Sequence, residues 1–169
     1  VDMLGAVNFF NAEEGRPSNQ DVQIGIGIHT GPVILGTIGS SERMDSTVLG
    51  LTVNLAKRLE EVTKALCVDM IISDQVANRL PNRNDYRLRD LGEAWVKGAL
   101  RPLTLFEVFD QDPPERRSLK DQIGPILAEG IGLIRAGHLE AALAKFQEAQ
   151  RISSQDLPTH LSITSLKNA

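Results

Sequence analysis

Two apolar periods run along this chain, and the change from one to the other divides it. From Val22 to Ile28, valine and isoleucine alternate with glutamine and glycine. That is the period-two pattern of a strand, with glycines where another backbone comes close. His29 to Pro32 reads as a turn. Val33 to Ile38 reads as a second strand, the antiparallel mate of the first. A polar loop with Arg43 is expected over Gly39 to Asp45, followed by a short β-like run from Ser46 to Leu49 and a break at Gly50. Leu55, Leu59 and Val62 then recur at helical spacing, predicting a helix from Thr52 to Ala65. Val68 to Ile72 is a strand. Ser73 is placed to cap a helix over Asp74 to Leu80, with Pro81 beyond its end. Tyr86 to Leu91, Ala94 to Val96 and Leu103 to Phe109 are further strands, separated by Gly92, Gly98 and Pro102. Ahead of all these lie a short amphipathic helix, Met3 to Asn11, and a polar loop, Glu13 to Gln20. The order predicts an α+β sandwich, with helices on one face of a mainly antiparallel sheet.

After Phe109 the pattern turns wholly helical. Asp110 to Lys120 is charged and contains proline, and is expected to be a linker between a unit over 1–109 and one over 121–169. Ile123 to Ala136 and Leu139 to Ser153 are two amphipathic runs around Ala136-Gly137-His138. Gly130, Gly137, Ala142, Phe146 and Ala149 match the small-and-aromatic spacing of one tetratricopeptide repeat, in which small residues let two helices cross and Phe146 fills the gap. Ser154 stands where that pattern usually has proline. A solenoid needs about three repeats. The hairpin is therefore expected as a cap on the preceding unit, or as the start of an array, with a protein as its partner.

Composition narrows the function classes. The chain has 169 residues, 41% of them hydrophobic but only 4% aromatic, so its core is aliphatic. The net charge of −4 comes with no basic stripe, which argues against a nucleic-acid surface. The single cysteine, Cys67, excludes an intramolecular disulfide and is expected to be a buried, inert thiol. No apolar run reaches the roughly 18 residues needed to span a bilayer, and no signal peptide is visible. The chain reads as cytoplasmic or cytoplasm-facing. Beginning at Val1 rather than at methionine, it reads as a piece of something longer.

The chemistry concentrates at the predicted helix after Gly50. Asn54 and Arg58 are four apart and point to the same side. A carboxamide and a guanidinium held that way can grip phosphate-ester oxygens, the guanidinium through two parallel bonds. By itself an Asn-x-x-x-Arg pair is an ordinary solvated helix face, with Glu60 and Glu61 available to Arg58. Two further blocks change that reading. Residues 24–39 run Ile-Gly-Ile-Gly-Ile-His-Thr-Gly-Pro-Val-Ile-Leu-Gly-Thr-Ile-Gly, and residues 91–98 run Leu-Gly-Glu-Ala-Trp-Val-Lys-Gly. Taken in order with residues 45–58, they resemble the C-terminal half of a class III nucleotidyl cyclase catalytic domain, from about Val1 to Phe109.

The resemblance implies a partial ferredoxin-like, palm-type α/β sandwich and the conversion of ATP to 3′,5′-cyclic AMP and pyrophosphate. It gives Asn54 the ribose and Arg58 the charge developing at the transferred phosphorus. Lys97 would meet the terminal phosphates, and Thr47 would read the base edge, leaning toward ATP over GTP. Leu51 stands where many relatives carry aspartate, which suggests a drier local surface at an interface. Trp95 is expected in core or interface packing, and His29 in a structural role at its turn. The family holds Mg²⁺ or Mn²⁺ with two aspartates from the N-terminal half of the domain. No Phe-x-Asp-x-x-Gly-Phe block or Gly-Asp turn stands near the start of this chain, and Asp2 and Asp21 lie in the wrong settings. The metal ligands are therefore expected outside this chain, and this chain alone is expected to be inactive. Because the family's sites form between two subunits, a homodimer or a complementing cyclase half is the expected partner. Two other readings are a non-catalytic dimerisation subunit and an interaction module carrying a cyclase remnant. The joint presence of Thr47, Asn54, Arg58 and Lys97 speaks against the latter.

Overall fold

The computed structural model describes residues 1–13, 21–40 and 43–167. Helix α1 (Asp2–Asn11) is followed by strands β1 (Ile26–Ile28), β2 (Ile34–Ser40) and β3 (Arg43–Leu49). Next come α2 (Leu51–Leu66), β4 (Met70–Ser73), the short α3 (Asp74–Ala77), β5 (Leu88–Ala94) and β6 (Leu103–Val108). Three helices close the chain: α4 (Pro114–Arg135), α5 (Leu139–Ile152) and α6 (Leu157–Lys167). The α+β expectation holds. The predicted loop over 13–20 lies almost wholly outside the described residues.

A four-stranded sheet has the order β1-β4-β6-β5, with β1 parallel to β4 and the other pairs antiparallel. Helices cover both of its faces, not one. Leu55 and Leu59 of α2 pack on Ile71, Leu103 and Leu105, while Leu4 of α1 and Ala77 of α3 pack with Met70, Ile72 and Val108 on the other side. All four residues of β4 are buried, as befits a strand covered on both faces. Helix α2 lies directly over β1. A Cβ on Gly27 would stand 2.2 Å from the Glu60 nitrogen and 2.4 Å from the Ala56 oxygen, so only glycine admits this crossing.

The expected pairing of the first two strands is wrong. β2 pairs with β3 as a separate antiparallel ribbon, Ile34 opposite Leu49 and Ser40 opposite Arg43. The predicted polar loop over residues 39–45 is mostly strand, because polar residues are tolerated on a ribbon standing away from the core. Tyr86 to Leu91 and Ala94 to Val96 merge into one strand, β5, irregular between Asp90 and Glu93. The helix after Ser73 stops at Ala77. Cys67 is exposed rather than buried. It closes α2 in the left-handed conformation, φ 53°, which turns it out of the core.

The segment expected as a linker is helical from Pro114, a residue suited to a first helical turn, and Lys120 within it is buried. Ile123, Leu127, Ile131, Phe146 and Ile163 form a core among α4, α5 and the unforeseen α6. Gly130 lets α4 meet α5 as the spacing predicted, since a Cβ there would stand 2.7 Å from the Phe146 ring. A chain of buried charges joins this unit to the sheet. Arg89 of β5 donates from Nε to Glu107 on β6 (2.8 Å), again from Nη2, and from Nη1 to Asp156 before α6 (2.7 Å). Lys120 donates to Glu107 and to Asp112.

Candidate functional site

The head of α2 is built by the chain on three sides. The Thr52 hydroxyl donates to the Pro32 carbonyl at 2.6 Å, tying the helix to the turn after β1. Behind it, β3 runs directly into Gly50, whose φ of +147° is open to glycine and strained for other residues. In front, the loop between β5 and β6 turns at Gly98, φ +94°, and a Cβ there would lie 3.3 Å from Leu51 Cδ1. Lys97 is therefore carried to the first turn of the helix.

Leu51, Asn54, Arg58 and Glu61 follow one stripe of α2, while Leu55 and Leu59 of the adjoining stripe enter the core. Asn54 is exposed, and among the described residues its side chain has no hydrogen bond. Arg58 is half-buried and donates to Glu61 Oε2 at 2.6 Å, so of the two glutamates foreseen as its partners Glu61 is the one it takes. This bond holds the Glu61 carboxyl below its ordinary pKa. Lys97 is exposed with no ion pair among the described residues. Thr47, half-buried on β3 opposite Gly36, stands three residues before Gly50. The first turn of α2 carries no acidic residue. An anion is favoured at this end of the helix, to which Lys97 is carried.

His29 is part of the scaffold. Its Nδ1 lies 2.9 Å from Ser73 Oγ, which explains why the Ser73 hydroxyl makes no cap bond to α3. Burial lowers the His29 pKa, with Asp74 opposing and Arg101 reinforcing the shift.

Around the site the surface is apolar. Ile34, Leu35, Val48 and Leu49 of the ribbon are exposed, Leu35 by 77%, as are Leu51 and Val53 of α2. Trp95 is 75% exposed, so it is not in the core. At this end the ribbon exposes apolar side chains on both faces, a surface suited to an interaction. Residues 33–38 were read as the mate of the first strand, so the sequence concealed this surface. Among the described residues no group of three or more His, Cys, Asp or Glu could hold a metal ion. The described residues therefore offer no donor set for the Mg²⁺ or Mn²⁺ that the resemblance implies. No described helix is long and apolar enough to cross a membrane.

Residues 1–108 match the family described as the adenylate and guanylate cyclase catalytic domain. The chain belongs to that family. It is 31% identical over 160 residues to the terminal-differentiation-specific adenylate cyclase of Dictyostelium discoideum, covering 94% of this chain and 7% of that protein. It is 35% identical over 111 residues to an adenylate cyclase of Anabaena cylindrica, covering 63% of this chain and 22% of that one. A bacterial light-regulated adenylyl cyclase of known structure superposes with a TM-score of 0.52 at 28% identity, over 65% of this chain and 31% of that chain. The chain thus spans less than a quarter of either relative's length, and its similarity to the amoebal protein continues past the catalytic unit into the C-terminal helices.

Proposed function

We propose that this chain supplies the ribose- and phosphate-holding side of an adenylate cyclase site completed by a second protomer. The observation that carries the reading is the Asn54–Arg58 stripe. It stands at the head of a helix whose flanks are apolar and open, where a partner surface can close over a nucleotide. The reaction is attack of the ribose 3′-oxygen on the α-phosphorus of ATP. A P–O bond forms, the bond to pyrophosphate breaks, and the 3′-hydroxyl proton is lost. Asn54 orients the ribose ring. Arg58 faces the charge that builds on the α-phosphoryl oxygens, and Lys97 holds the terminal phosphates. Electrostatic help of this kind is worth most where water is excluded, which the partner would achieve. Thr47 accepts from the adenine amino group, favouring ATP over GTP.

The divalent ion belongs to carboxylates of the partner side, in keeping with the lack of a fitting donor set among the described residues. The partner is a second copy of a longer chain or a complementing cyclase half, seated on the β2–β3 ribbon. The family match over residues 1–108 supports a catalytic unit ending near Phe109. The Gly130–Phe146 contact supports reading α4–α5 as a tetratricopeptide-like hairpin able to receive a protein. The test is catalysis by the chain alone and after mixing. Purified chain is expected to form no measurable cyclic AMP from ATP with Mg²⁺ or Mn²⁺, and robust production by it alone would overturn the division of labour.

A further inference from the structure

Helix α4 is fastened along the β5–β6 hairpin at three places. Near its start Lys120 donates to Glu107 of β6. Further along, Ile131 Cδ1 lies 4.0 Å from where a Cβ on Gly92 would stand, against the irregularity in β5 between Asp90 and Glu93. At its last residue Arg135 reaches both sides of that irregularity, Nη1 3.6 Å from Asp90 and Nε 3.4 Å from Glu93. From Lys120 to Arg135 the helix is about 22 Å long at its usual rise, comparable to the length of the hairpin it braces. Within the irregularity the Gly92 N–H donates to Asp90 Oδ1 at 2.7 Å, and Gly92 takes φ +86°. The chain then leaves the sheet at Trp95 and reaches Lys97 three residues beyond Ala94, the last residue of β5.

We propose that α4 sets the position of Lys97, with Arg135 as the positioning residue. By clamping Asp90 and Glu93 on either side of the kink, Arg135 fixes the direction in which β5 departs. The loop over 95–102 then settles with Gly98 on Leu51 and Lys97 at the head of α2. The helical unit is on this view a working part of the nucleotide site, not an appendage. The similarity that runs past the catalytic unit into these helices accords with that. The proposal rests on the assignment of Lys97 to the substrate phosphates.

Hydrogen exchange measured by mass spectrometry on the chain tests the clamp without any catalysis. Arg135→Gln is expected to speed amide exchange within the 95–102 loop by about two- to fivefold, the scale of a half-exposed charge pair. Amides of α2 should be unaffected, and Arg135→Lys should restore most of the protection. Ile131→Ala should give the same local signature. Unchanged exchange over 95–102 in Arg135→Gln, or faster exchange throughout the chain, overturns the clamp. In a cyclase assay with a complementing partner, Arg135→Gln should raise KM for ATP by a similar factor and leave kcat unchanged. Faster exchange with unchanged KM would refute the phosphate role of Lys97, and so the catalytic meaning of the clamp, while leaving the mechanical link intact.

Discussion

Replacing Arg89 by methionine perturbs the polar junction between sheet and helices at its centre. The side chain is 1% exposed and bonds two carboxylates, those of Glu107 and Asp156, themselves 1% and 7% exposed. Methionine fills most of the same space and leaves both anions in a region poor in water. Breaking a buried pair in this way costs about 3–5 kcal/mol. Here Glu107 keeps Lys120, and Asp156 keeps the Thr159 amide and hydroxyl, so the loss should fall near the lower end, about 3 kcal/mol. That is a large part of the roughly 5–15 kcal/mol that holds a domain folded.

The loss should also depend on pH. Burial would raise the Asp156 pKa, but the Arg89 charge and the Thr159 bonds outweigh it and hold it below its ordinary 3.8. A carboxyl depressed on folding contributes stability that is complete above the unfolded value and lost as pH falls through the lower folded one. The gap between parent and variant should therefore narrow as pH falls, because the variant's buried Asp156, without Arg89, takes up its proton before the parent's does. Urea unfolding followed by circular dichroism, repeated from pH 7 to pH 3, measures both effects. A loss under about 1 kcal/mol, or a gap that widens in acid, would refute the view that these charges hold each other in place.

Other expectations follow from the same geometry. Arg58→Ala in the assembled site should lower kcat by about 10²- to 10³-fold with little change in nucleotide affinity, measured by steady-state kinetics and a binding titration; a few-fold change in kcat would remove Arg58 from its role. Leu35→Glu on the exposed ribbon should weaken self-association in analytical ultracentrifugation and leave the melting temperature of the core within a few degrees, whereas unchanged association would place the interface elsewhere. The His29 ring should titrate below 6.5 by NMR because burial disfavours its charge, so its share of stability is complete above pH 6.5 and lost as pH falls through the lower folded value. A midpoint at or above 6.5 would contradict the packing against Ser73.

Much of this was legible in the residue order, and the failures are instructive. The α2 stripe could be read because helical spacing fixes which side chains share a face, and Asn54, Arg58, Leu55 and Leu59 fall as that rule requires. The close approach at Gly27 and the meeting of Gly130 with Phe146 were also foreseen, because a missing side chain is a local signal. Strand partners were not legible. The apolar run of residues 33–38 says nothing about whether β1 or β3 lies alongside, and the choice of β1 was wrong. Arg89, Glu107 and Lys120 escaped notice because each looks like an ordinary surface charge until folding sets them opposite one another. Cys67 was misjudged for a related reason. Its apolar neighbours suggested burial, but the helix end turns its side chain outward. The proposed clamp on Lys97 was likewise hidden, because Arg135 meets Asp90 and Glu93 from far along the chain.

The central claim is that Asn54 and Arg58 work on a nucleotide whose metal is held by another protomer. Mixing is the direct measurement. This chain is combined with a class III adenylate cyclase domain that keeps its metal-binding aspartates but has alanine at its own Asn and Arg positions, and cyclic AMP is followed with ATP and Mn²⁺. Neither component should be active alone, the mixture should turn over, and Arg58→Ala in this chain should abolish the gain. A mixture that associates yet stays silent, or one equally active with Arg58→Ala, would contradict the account.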